Sequence, residues 1–466
     1  MRRIITPILL TCFALATLPA AAEDEEPLFR VQRLTDKILV LTEITPWESN
    51  HVVIDSAKGL VLVDPGHSAL MGRLIRDAVR RELGRDHFAY VIDTHGHWGH
   101  AWGNAAFSEA VVIGHEQAAA SIEADAANLA QRAEFIRGQL AQVEARLDEL
   151  DPASEEAAEA RLQRDHFDRI ARGLDETDFV VRPPSLTFSD RLQLDLGNLR
   201  LDLRFLGAGH SLSDIVIMIP EEKVLLLGCF FLARGSLPYF GTRPQLDPDR
   251  WLETFGDLLS DETAIDYVVL GQHAIWSREQ LDAMRGYIAH LWSGVKTLEA
   301  EGVDFETILK RLELPPEHDP LRQFGATEEE LEQMRRFETT ALWRQLKESA
   351  AIEVAAALDR DGTAAAVALF HVMASNQGTD VYFDENEFNL LGYRLLGLGR
   401  IDDAIAVFQL NVEQFPESWN VYDSLGEAHA AKGNTERAIE LYKRSVEINP
   451  QNTNGINAIE RLESQL

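Results

Sequence analysis

The chain has 466 residues, too many for one ordinary domain, so two or three are expected. With 76 acidic against 44 basic side chains its formal net charge is −32, a field that repels phosphate backbones and anionic lipid and argues against a nucleic-acid partner. The first 22 residues read as a secretory signal peptide: Arg2 and Arg3 form a basic end, Ile8 to Leu18 is mostly apolar yet too short to span a bilayer, and Ala20 to Ala22 is a small-residue cleavage site. Its removal takes the charge from −32 to −34 and leaves one cysteine, Cys229. An intrachain disulfide is then impossible, and a lone thiol in a periplasmic or extracellular compartment is a liability unless it is buried or bound to metal. No later segment is long and apolar enough to cross a membrane.

Residues 30 to 120 read as an α/β unit. Val52 to Ile54 and Leu60 to Val63 are short aliphatic runs bounded by turns, and Ala69 to Leu83 has helical spacing. The apolar run Ala89 to Ile92 leads into Asp93-Thr-His95-Gly-His97-Trp-Gly-His100, with three histidines in six residues. Val111 to Ile113 is a further strand, and His115 after it is expected to be structural. From 120 to 175 the pattern is helical. Leu129, Ile136, Val143 and Leu150 recur every seven residues, with Ala133, Leu140 and Leu147 between them. After the break at Asp151 to Ser154 comes a second helical stretch with Leu162, Phe167, Ile170 and Leu174. This predicts a self-packed helical hairpin in preference to a dimerisation arm, placed where it would also roof a site. Strand-like runs then return at Leu192–Leu196, Leu199–Phe205, Ile215–Ile219, Lys223–Leu227 and Tyr267–Leu270. His210, Cys229 and His273 each follow such a run. Imidazole and thiolate are ligands that Zn²⁺ prefers, and strand-end loops are where a rigid scaffold can converge them. The patterning by itself gives a mixed α/β fold and a metallohydrolase.

The C-terminal third is helical and repetitive. Leu391-Gly392 recurs as Leu425-Gly426, Gly399 as Gly433, Ala404-Ile405 as Ala438-Ile439, Phe408 as Tyr442, and Pro416 as Pro450, all at 34 residues. This is the tetratricopeptide (TPR) period, with small residues where paired helices approach. Gly362 to His371 reads as a degenerate earlier copy. A peptide-binding groove for a protein partner and a packing or dimer module are both open.

The order His95-x-His97-x-x-His100, then His210, Cys229 and His273, together with the early Gly59-Leu-Val-Leu-Val-Asp64 motif, resembles the metallo-β-lactamase superfamily over roughly residues 30 to 310. The resemblance implies a four-layer αβ/βα sandwich over 23–315, with the hairpin at 120–175 as an insertion and an all-α TPR-like region over 316–466, its repeats at 385–452. It implies one or two Zn²⁺, the first on His95, His97 and His210 and the second on His100, Cys229 and His273. Gly99 stands where the family has an Asp that ligates the second metal and steadies the attacking water. Leu232 stands where the Cys-using lactamases have Lys, with Arg234 nearby. The expected function is a secreted zinc-dependent hydrolase that uses metal-activated water on an ester, thioester, amide or lactam bond of a small-molecule substrate. Its catalytic side chain is undetermined, with Asp93 and Asp214 as candidates. The alternative is a non-catalytic scaffold whose repeats bind a protein; iron chemistry on the same fold fits the Cys less well.

Overall fold

The computed structural model describes residues 27–464 except 177–178, 235–236, 241–245, 261–263, 274 and 376–380. The expected signal peptide, and the side chains of Leu232 and Arg234, lie outside the described residues.

The first sheet has seven strands in sequence order: β1 (Phe29–Arg33), β2 (Ile38–Glu43), β3 (Asn50–Ser56), β4 (Gly59–Val63), β5 (Phe88–Ile92), β6 (Val111–His115) and β7 (Leu186–Phe188). The first three pairings are antiparallel hairpins. From β4 onward the pairings are parallel, because helices now carry the chain back. Helix α1 (Ala69–Leu83) connects β4 to β5, capped by Ser68 and stopped at Gly84 in the left-handed region. The short α2 (Trp98–Ala101) follows β5. Helices α3 (Glu116–Ala126), α4 (Leu129–Glu149) and α5 (Glu155–Leu174) lie between β6 and β7.

The second sheet contains β8 (Arg191–Asp195), β9 (Arg200–Phe205), β10 (Ile215–Ile219) and β11 (Val224–Gly228); the hairpin β12 (Phe231–Arg234) and β13 (Leu237–Phe240) stands apart. After α6 (Pro248–Leu258) the sheet is completed by β14 (Tyr267–Leu270), parallel to β11, and by β15 (Ile275–Trp276).

Strand side chains alternate between faces, and the alternation assigns the layers. Ile215, Ile217 and Ile219 point inward with Val40, Val52, Val61 and Ile92, so the two sheets share one core. Leu39, Leu62 and Val53 face outward onto Met71, Ile75 and Val79 of α1. Val216, Met218 and Leu225 face Trp251 and Phe255 of α6 and Met284 and Ile288 of α7 (Arg278–Ala300). The result is helix, sheet, sheet, helix, the four-layer architecture the resemblance implied.

The outer layer continues through α8 (Phe305–Arg311) and α9 (Glu328–Arg344): Ile308, Leu331, Met334 and Leu342 belong to the same core as α6 and α7. A separate core begins at Ala350. It is built from α10 (Ala350–Asp361), α11 (Thr363–Ser375), α12 (Glu385–Gly397), α13 (Ile401–Gln414), α14 (Trp419–Ala431) and α15 (Thr435–Ile448), with α16 (Thr453–Glu463) packed on the end. The two-residue strands β16 (Glu348–Ser349) and β17 (Val381–Tyr382) pair at its start. The two 34-residue copies are the pairs α12–α13 and α14–α15. A Cβ on Gly392 would fall 2.4 Å from the Phe408 ring, which is why that crossing takes glycine. Among the described residues no helix is long and apolar enough to cross a membrane.

The expected hairpin is α4 packed on α5. It also buries Ala133, Ile136 and Ile170 against Ala101 and Trp102, next to the three-histidine motif. His115 is structural as expected: it stacks on Phe205 and its Nε2 faces the Ser189 carbonyl.

Candidate metal centre

Each candidate ligand sits where a strand ends. His95 and His97 follow β5, His100 lies on α2, His210 precedes β10, and Cys229 follows β11. The loops are locked together by backbone and hydroxyl contacts. Ile215 N–H donates to the Thr94 carbonyl (2.9 Å) and Gly96 N–H to Ser213 Oγ (3.0 Å), which ties the loop of His95 to that of His210. Ser211 donates through N–H and Oγ to Asp214 (2.9 and 2.6 Å), closing the His210 loop on itself. Asp214 is therefore a brace of the His210 loop.

Two groups of ligand atoms result, each with all its atoms within 4.8 Å of one another: His95, His97 and His210, and His95, His100 and Cys229. His97 Nδ1 stands 2.8 Å from His210 Nε2, and Cys229 Sγ stands 3.2 Å from His100 Nε2. Burial lowers the pKa of His100 to about 3, so its lone pair is available at neutral pH. Burial, then the carboxylates of Asp64 and Asp214, push the Cys229 thiol up. Only a strong cation would hold it as thiolate. Gly228 (φ +55°) and Gly271 clear the space: a Cβ on the first would meet Thr94 Oγ1 at 2.5 Å, on the second Cys229 Sγ at 2.6 Å. Imidazoles and one buried thiol converging from separate loops are a donor set that fits a divalent transition metal.

Three expectations fare differently. His273 is held in the left-handed region (φ 59°) and faces Glu48 at 3.4 Å, in neither ligand group, because Asn50 and the Glu48 backbone fix its loop. Asp93 belongs to neither ligand group: it is buried, Asn104 Nδ2 donates to its Oδ2 (2.8 Å), and burial raises its pKa well above the ordinary carboxylate value. At Gly99 an added Cβ would meet nothing within 4 Å, so the position borders open space.

Asp64, singled out in the sequence only as part of a motif, has a definite task. Thr94 donates to it through N–H and Oγ1 (both 2.8 Å), Thr94 Oγ1 lies 3.1 Å from His95 Nδ1, and Asp64 Oδ2 lies 3.6 Å from His100 Nδ1. It thus orients ligands of both groups. Burial raises its pKa to about 6. A third group was not legible in the sequence: Glu43, His67 and His166, with ligand atoms again within 4.8 Å of one another. They come from the end of β2, the turn after β4 and the middle of α5, so no spacing links them. The available signals were a carboxylate ending the apolar strand β2 and a His on the apolar seam of α5.

Residues 44–273 match the profile of the metallo-beta-lactamase superfamily, and residues 419–452 that of the tetratricopeptide repeat. The chain carries a metallo-beta-lactamase superfamily domain. The matched range spans every histidine and the cysteine described above; Glu43 lies one residue before it. An 88-residue stretch is 30% identical to the metallo-beta-lactamase type 2 of Bacteroides fragilis, over 19% of this chain and 35% of that protein, so the match spans about a third of the relative's length. Among solved structures, the metallo-beta-lactamase from Pontibacter korlensis aligns with 56% of this chain and 99% of its own at 16% identity (TM-score 0.38). The inverting sec-alkylsulfatase Pisa1 from Pseudomonas sp. aligns with 91% of this chain and 66% of its own at 15% identity (TM-score 0.48).

Proposed function

We propose that this protein is an exported, zinc-dependent hydrolase that cleaves an ester, thioester, amide or lactam bond in a small molecule. The observation that carries the reading is the pair of ligand groups sharing His95, within a metallo-beta-lactamase superfamily domain. The basic, apolar and small-residue pattern of residues 1–22 supports export. Zinc, when bound, supplies a Lewis acid that makes water nucleophilic near neutral pH and polarises the scissile group. His95, His97 and His210 would hold one ion. His100 and Cys229, with His95 between the groups, would hold a second. Asp64 and Thr94 fix the ring of His95, and the loop brace at Asp214 fixes the His210 loop. The pocket beside His100 and Gly99 is walled by Trp47, Trp98, Phe135 and Phe167, which favours a substrate with an apolar part.

A second reading, a binding protein of low activity, is favoured by Gly99 and by the repeats, whose family suggests protein interaction. Leu390, Tyr393 and Leu398 are exposed on or beside α12, as a peptide-binding face requires. Elemental analysis with a panel of ester, thioester and lactam substrates separates the two. Stoichiometric zinc with turnover abolished by His97→Ala supports the hydrolase; a metal-poor protein without turnover supports the binding protein.

A further inference from the structure

We propose that Glu43, His67 and His166 form an additional binding site for a divalent transition metal ion, zinc foremost, assembled when the α4–α5 hairpin closes over the first sheet. Two imidazoles and one carboxylate are a ligand set suited to such ions. The ligand atoms lie within 4.8 Å of one another, and Glu43 and His67 are 1% and 2% exposed. Both ring nitrogens of His67, Glu43 Oε2 and His166 Nδ1 are buried without a hydrogen-bond partner. Buried polar atoms in native proteins are nearly always satisfied, and leaving them unmade costs free energy. Here each of three residues that bring a ligand atom together carries at least one such atom. His166 Nδ1 stands 3.7 Å from Glu43 Oε2, wide of a hydrogen bond. One cation among the three residues would satisfy a nitrogen of each ring and the carboxylate together.

The surroundings resemble the outer shell of a metal site. The other carboxylate oxygen, Glu43 Oε1, lies 3.1 Å from His51 Nε2, and His51 Nδ1 lies 2.5 Å from the Asp64 carbonyl oxygen. That chain fixes the carboxylate from behind and leaves Oε2 facing the imidazoles. Trp47 packs on the His166 ring with centroids 4.6 Å apart, which fixes that ring as well. The competing cation is Arg169, one turn along α5, which acts on Glu43 electrostatically but makes no ion pair with it within 4 Å. All three ligands line a cavity of about 300 Å³ that also reaches Gly99 and His100. The site would therefore place a positive charge on the wall of the same cavity that Gly99 and His100 line. His166 belongs to the hairpin, so the insertion would supply a ligand as well as a roof.

The test uses the full chain, demetallated and reloaded with zinc or with cobalt(II). His166→Gln keeps a helix-compatible side chain at a partly exposed position and removes the ring. It is expected to lower the bound metal by one equivalent relative to wild type while the sulfur-to-cobalt charge-transfer band, which reports Cys229, stays unchanged. Glu43→Gln should give the same loss, with folding checked by circular dichroism. Wild-type stoichiometry in a folded His166→Gln protein overturns the proposal. So does a loss accompanied by loss of the thiolate band, which would mean that His166 acts through the Cys229 centre. Should both variants misfold, anomalous scattering at the zinc edge from wild-type crystals decides: a peak among Glu43, His67 and His166 supports the site, and none overturns it. Absence of the thiolate band from the wild type would instead count against the proposed hydrolase centre and leave this test standing.

Discussion

His97 and His210 lie 113 residues apart in sequence, yet their ring nitrogens stand 2.8 Å from each other, held there by two loops that share hydrogen bonds. Replacing His210 with Ala removes one donor from the first group and leaves His95, His100 and Cys229 untouched. Elemental analysis should show one equivalent of zinc lost, with hydrolysis falling by more than the roughly 10–100-fold typical of losing an outer-shell partner. Thr94→Val tests that outer shell directly. It deletes the hydroxyl that bridges Asp64 and His95, so zinc affinity in chelator competition should drop by roughly 10–100-fold while all ligands remain. Stability should fall by about 1–3 kcal/mol, because the buried Asp64 loses a donor. Gly99→Asp runs the other way. The open space around the position should admit the side chain without a change in Tm, and metal should then dissociate more slowly. Unchanged dissociation would show that the missing carboxylate does not limit metal retention.

At the scale of elements, the repeat helices offer an internal comparison. The equivalent glycines Gly392 and Gly426 face Phe408 and Tyr442, but an added Cβ would approach the first ring to 2.4 Å and the second only to 3.3 Å. Gly392→Ala should therefore destabilise the helical module by about 1–3 kcal/mol through overpacking. Gly426→Ala should be close to neutral, since alanine's helix preference of about 1 kcal/mol offsets a mild contact. Thermal melts of the two variants check the difference. Much of this level was legible in the sequence. The strands at the apolar runs around Val52, Ile215 and Tyr267, the helix over Ala69–Leu83 and the seam through Ile136 are where the sequence pattern puts them. Ligands clustered at strand ends, such as His95, His97 and Cys229, were legible because a short spacing or a lone cysteine marks them. Glu43, His67 and His166 were not, because they meet only through tertiary packing of three elements. The placement of His273 was hidden for a related reason: its loop is set by Asn50 and Glu48, more than 200 residues earlier.

At the scale of the whole molecule, the core of α6, α7 and α9 gives way to the core of the repeat helices at a short junction. The first reaches Leu342 on α9, where Leu331, Met334 and Leu342 pack in the same core as Met284, Tyr287 and Leu291 of α7; the second starts at Ala350. An amphipathic helix announces that it will bury a face but not against which core, so the sequence alone put the division near 315. Few contacts cross the junction: Arg344 pairs with Asp384 at 2.8 Å and lies over the Tyr382 ring, and β16 pairs with β17 over two residues. On the side of the α6–α7–α9 core, Gln345 accepts from the Leu246 N–H, and Lys347 pairs with Glu299. These contacts place the natural cut after Lys347. A chain ending there should bind as much metal as the full chain and melt cooperatively, because its apolar core is intact and what it loses is the Arg344–Asp384 pair and the Arg344–Tyr382 contact, on the order of 1 kcal/mol each. A chain ending at residue 315 strips α9 from α7 and exposes apolar side chains that were fully buried. At roughly 25 cal/mol per Å² of apolar surface that loss rivals a domain's whole stability, so the shorter chain should aggregate or lose zinc. Equal zinc content and equal melting of the two truncations would show that α9 belongs to the repeat module after all.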